Sequence, residues 1–123
     1  MSKPLAIVYH ATLMPGSQVA NKLRDLGYRV QTLTDLAGLV EMCQKEKPLL
    51  VVAELMPAGA ALDAVGRLRK DAATGHVPVL AYSSTQEATL QAQAREAGVS
   101  LLAGHAAISE HLTRLLDQVL QVE

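Results

Sequence analysis

The sequence predicts an α/β domain in which a parallel sheet is covered by helices on both faces. Five short apolar runs alternate with five stretches whose apolar residues recur at helical spacing. The connections are short, so each strand–helix–strand unit crosses over right-handed and leaves its strands parallel. The central run, Leu49-Leu50-Val51-Val52-Ala53, is apolar without alternation, as a strand covered on both faces should be. It meets Glu54 and stops at Met56-Pro57, because proline cannot donate to a ladder and restricts the residue before it. At 123 residues the chain is sized for one domain, residues 1–123.

Each element has a local justification. Leu5 to Tyr9 is the first strand, followed by a loop from His10 to Gly16. Ser17 is a plausible N-cap for a helix carrying Val19, Leu23 and Leu26 on one face, and Gly27 suits its left-handed end. Tyr28 to Leu33 alternates polar and apolar, which places the second strand at a sheet edge. Asp35 caps the next helix, with Leu36, Leu39, Val40 and Cys43 on its apolar side, and Pro48 marks the exit. After the central strand, Ala58 to Ala61 reads as a small-residue loop, and Leu62, Val65 and Leu68 mark the third helix. Val77 to Tyr82 is the fourth strand. Thr85 to Ala97 is an Ala- and Gln-rich helix ended by Gly98, and Val99 to Ala103 is the fifth strand. Gly104 to Ala107 is read as the closing loop. Ser109 caps a last helix with Leu112, Leu115, Leu116, Val119 and Leu120 inward.

Composition excludes several functions. Half the residues are apolar, yet Tyr9, Tyr28 and Tyr82 are the only aromatics, so the core is aliphatic. The net charge of −1 gives no footprint for nucleic acid or an anionic membrane. The basic groups Lys22, Arg24, Arg29 and Arg67, Arg69, Lys70 read as solvated helix faces. A single cysteine, Cys43, cannot form an internal disulfide; it reads as a small buried hydrophobe in a reducing compartment. No apolar run approaches the about 18 residues of a membrane helix, and Met1-Ser2-Lys3-Pro4 leads straight into a strand rather than a signal peptide. The expected location is the cytoplasm.

Three stretches together resemble the receiver domain of response regulators in two-component signalling, over nearly the full chain. Leu49 to Pro57 resembles the strand that carries the phosphoacceptor, with its Met-Pro ending. Asp71 to Ser84 resembles the approach to the family's hydroxyl, and Ala94 to Val99 resembles the end of its fourth helix. The resemblance implies a flavodoxin-like, three-layer (βα)5 fold with strand order 2-1-3-4-5.

The departures from that family bear on function. Where receivers hold Mg²⁺ with two acidic residues after the first strand, this chain has His10 and Ala11. The phosphoacceptor position is Ala53, the lysine position His105, the following proline Ala106, and the aromatic switch Leu102. The loop glycine is Ala61, with Gly59 nearby; the hydroxyl survives as Ser83. An acyl phosphate needs a carboxylate nucleophile and an oxygen-liganded cation, and neither Ala53 nor Ala11 serves. Glu54 is adjacent, but successive strand side chains face opposite ways, so it reaches the pocket only through a bulge.

His10 and His105 are expected on the same rim, flanking Ala53 and Ser83. Read as backbone-bonded imidazoles they are structural; as a pair they could sense pH or hold an anion. Two imidazoles fall short of a zinc site unless Glu54 or a second chain contributes, so no metal and no cofactor is expected. No nucleophile–base pair or phosphate loop is legible, and the chain is not expected to be an enzyme. The expectation is an atypical receiver-like module that is not phosphorylated in the usual way. It would bind a protein partner, or a second copy of itself, through helix four, strand five and helix five. Gln86, Gln91, Arg95, Leu102, Arg114 and Gln118 would form that face. The alternative is a small-molecule or anion-binding regulatory domain that uses the degenerate pocket.

Overall fold

A computed structural model describes residues 3–85 and 87–120. Five parallel strands form one sheet: β1 (Leu5–Tyr9), β2 (Arg29–Leu33), β3 (Leu50–Glu54), β4 (Val79–Ser83) and β5 (Leu101–Gly104). Their order is β2-β1-β3-β4-β5, the flavodoxin-like order. β2 is half-exposed and β3 and β4 are buried throughout, as alternation in the first and continuous apolarity in the others require.

Helices cover both faces. α1 (Leu13–Asp25), α5 (His105–Glu110) and α6 (Leu112–Leu120) lie on one side, where Val19, Leu23, Ile108, Leu112 and Leu116 pack on Val8, Val52 and Leu80. α2 (Leu39–Glu46), α3 (Ala58–Lys70) and α4 (Ala88–Ala97) lie on the other. There Leu39, Cys43, Val65 and Leu68 meet Ile7, Val51 and Val79, while Ala94 meets Ala81. Cys43 is buried, and burial pushes its thiol up to about 11. Arg29 to Leu33 and the Asp35 cap follow the sequence reading, although Asp35 accepts from the Ala37 amide (3.0 Å) over a 3-10 turn, Leu36–Gly38, that precedes α2.

Three stretches read as loops are helical. α1 begins at Leu13, with Thr12 rather than Ser17 as N-cap. Pro15 does not break it, because a first-turn residue has no intrahelical use for its N–H. α3 begins at Ala58, directly after Pro57, since Ala58, Ala60 and Ala61 suit a helix as readily as a turn and Gly59 is tolerated in the first turn. α5 begins at His105 with Gly104 as N-cap, drawn in by Ile108, which is fully buried. The expected last helix is therefore two helices separated by one non-helical residue, His111 (φ −124°, ψ 29°).

Candidate functional site

The carboxyl ends of β1, β3, β4 and β5 carry, in order, His10, Ala53 with Glu54, Ser83, and His105. Ala53 is paired with Tyr9 and Ala81 and is 1% exposed. Its methyl belongs to the cluster of Tyr9, Val51, Ala64 and Val65 on the α2–α3 side. Ser83 is also buried, and its Oγ accepts from the Thr85 amide (3.2 Å).

Glu54 lies on the opposite face. β3 runs in regular register through it, opposite Tyr82, so no bulge turns it toward Ala53. The carboxylate goes instead to the turn after β1. Its Oε1 accepts from the amides of Ala11 (2.8 Å) and Thr12 (3.0 Å), and its Oε2 from the Thr12 hydroxyl (2.8 Å). A carboxylate that is 1% exposed is tolerable only with such donors. Tyr9 extends the anchoring by donating its hydroxyl to the Met56 carbonyl (2.7 Å).

The two histidines do not form a pair. β3 and β4 stand between their strands, which separates them by roughly 14 Å, three strand spacings. His10 is buried, approaches the Thr12 carbonyl through Nδ1 (3.1 Å), and packs on α1. A Cβ at Gly16 would fall 2.4 Å from its Cγ, so only glycine fits there. His105, at the start of α5, sets its ring edge-on to Tyr82, with centroids 5.6 Å apart at 61°. The Tyr82 hydroxyl is buried without a hydrogen-bond partner among the described residues. Its pKa is raised, first by burial and then by Glu54 and Tyr9. Among the described residues no three His, Cys, Asp or Glu side chains gather as a metal site.

The expected docking face divides in two. Gln91, Arg95 and Leu102 line one groove of about 310 Å³ between α4 and β5, together with Ala94 and Val99. Arg114 lies elsewhere, in a groove of about 570 Å³ with Lys22, Asp25 and Asp117 between α1 and α6. Gln118 is exposed one turn beyond Arg114 on α6, and Gln86 lies outside the described residues. Helix periodicity alone could not show which neighbour each side of the last helix meets.

The sequence reading of Arg69 as part of a solvated helix face is corrected: the residue is half-buried. Its guanidinium donates to the carbonyls of Gly98 (2.7 Å), Gly75 (2.9 Å) and Val77 (2.7 Å), and to Ser100 Oγ (3.0 Å). Ser100 Oγ in turn accepts from the Val79 amide (3.1 Å). Gly98, at φ +103°, leaves room for the Arg69 stem: a Cβ there would lie 2.4 Å from Arg69 Cγ. One arginine of a basic triplet carries no linear signal of this role.

No protein-family profile and no curated protein sequence matches the chain. Solved structures do. A response regulator from Thermotoga maritima is 16% identical, with 98% of this chain and 100% of that one covered at a TM-score of 0.85. The Vibrio cholerae chemotaxis protein CheY4 is 18% identical, with 97% and 100% covered at 0.87. A response regulator from Desulfuromonas acetoxidans is 21% identical, with 95% and 96% covered at 0.80. Strand order, helix placement and near-complete coverage agree: the chain has the fold of response-regulator receiver domains.

Proposed function

We propose that this chain is a two-component-type signalling module that works without phosphorylation on β3, by presenting a fixed surface to a protein partner. The observation that carries the reading is Ala53, a buried methyl at the position where the receiver resemblance places the phosphoacceptor. His10 and Ala11 supply no carboxylate for a cation beside it. Glu54 is committed to the β1–α1 turn on the other face. With nothing to bias a second state, the domain has no phosphorylation signal to transmit and works as a constant binding element. In this reading it acts in the cytoplasm, is not an enzyme, and docks a protein or a second copy of itself in the α4–β5 groove.

The direct test is to incubate the protein with a small phosphodonor and Mg²⁺ and weigh it intact. No adduct is expected; a stoichiometric, hydroxylamine-labile phosphoryl group would overturn the reading. The docking surface is tested by reversing the two arginines separately. Arg95→Glu should weaken the complex by roughly tenfold, with a change in stability of under about 0.5 kcal/mol. Arg114→Glu, in the other groove, should leave binding unchanged; the opposite result moves the surface to α1 and α6. A thermal shift with phosphate analogues or nucleotides would support a small-molecule sensor instead, since a ligand of the folded state raises the melting temperature.

A further inference from the structure

The proposed function leaves one buried charge unused. Glu54 is 1% exposed, and among the described residues its hydrogen bonds come from two adjacent residues, Ala11 and Thr12. Those residues are the entry to α1. Thr12 is the N-cap of α1 and Ala11 the residue before it, so neither amide has an acceptor within the helix, and that end of the dipole favours an anion. Thr12 stands at the N-cap, but its hydroxyl turns to Glu54, and α1 has no acidic residue in its first turn. The anion that this helix entry lacks locally arrives from β3, 42 and 43 positions along the chain. The same turn is held from its other side by His10, whose ring meets the Thr12 carbonyl and packs on Gly16.

We propose that Glu54 is an internal latch: its carboxylate accepts the backbone donors at the entry of α1 and holds the β1–α1 turn closed against β3. The inference rests on the phosphorylation-independent reading and deepens it. It supplies what keeps the rim in one arrangement when no bound cation or phosphoryl group does so. Glu54 is thus a positioning residue, acting through the backbone of Ala11 and Thr12.

Amide hydrogen exchange, read residue by residue by NMR, tests it. In the parent protein the Ala11 and Thr12 amides should exchange as slowly as those of β1. In Glu54→Ala they should exchange at least roughly tenfold faster when measured relative to the Leu80 amide, which reports global opening. Formate, a small carboxylate that fits the vacated space, should slow them again, while chloride at equal ionic strength should not. Glu54→Gln keeps an acceptor oxygen without the charge and should lie between the two. Unprotected Ala11 and Thr12 amides in the parent overturn the latch, and that measurement stands even if the variants fail to fold. Unchanged relative exchange in Glu54→Ala, or no response to formate, overturns it as well. A phosphoryl adduct on the parent would instead sink the proposed function and leave the exchange result intact.

Discussion

At the carboxyl end of the sheet an anion gathers backbone amides, and at the amino end a cation gathers carbonyls. Glu54 binds the entry of α1; Arg69 binds the Gly98 carbonyl at the exit of α4 and the carbonyls of Gly75 and Val77 ahead of β4. Each sign suits the helix terminus it meets. Their reach differs. Glu54 joins β3 to one turn, whereas Arg69 ties α3 to the end of α4, to the segment before β4 and, through Ser100, to the start of β5. Burial lowers the Arg69 pKa, and its short contacts to carbonyls offset the lost hydration. The difference teaches that the amino end holds the layers together, while the carboxyl end, where receivers do chemistry, is pinned locally.

The comparison makes Arg69→Ala the most damaging substitution considered. It strands three carbonyls and opens space beside Gly98, at a cost of about 3 kcal/mol in urea unfolding. Arg69→Lys should recover less than half of that, because an ammonium lacks the planar fork that meets several carbonyls at once. A loss under about 1 kcal/mol would mean that water replaces the arginine and that the two ends are alike.

Ala53→Asp sharpens the contrast within a single strand. It creates a second carboxylate one residue from Glu54, facing the apolar cluster of Val51, Ala64 and Val65 instead of two amides. The expected loss is about 1–3 kcal/mol at neutral pH, with no gain of phosphorylation. Equal stability of variant and parent would show that this face of the rim is wet.

The smallest expected effect is at Tyr82, whose buried hydroxyl has no partner among the described residues. Tyr82→Phe should be neutral or stabilising by up to about 1 kcal/mol. It should also flatten the alkaline limb of the stability curve. The folded phenol resists ionisation more than the unfolded one, so its contribution is complete below the unfolded value, near 10, and is lost as pH rises beyond it. Tyr9, Tyr28 and Cys43 are raised too, so the variant keeps part of that slope. A destabilised Tyr82→Phe would mean that the hydroxyl has a partner in solution, such as a water reaching Glu54.

The five strands, their parallel sense and the edge position of β2 were legible in the amino-acid sequence alone. These depend on residue identity and short-range pattern: a proline ends a strand, and an apolar run is buried. The starts of α1, α3 and α5 depend on packing, because alanine, glycine and first-turn proline suit a turn and a helix entry equally until an inward residue such as Ile108 finds its core. The tertiary structure also separated His10 from His105 and Arg114 from Arg95, which the expected fold and the receiver resemblance had grouped. The two charged anchors were illegible for the same reason. Glu54 meets its donors 42 and 43 positions away, and Arg69 reaches Gly98 across 29. A hydrogen bond's worth is set by what burial has removed from water around it, and that is a property of the folded chain.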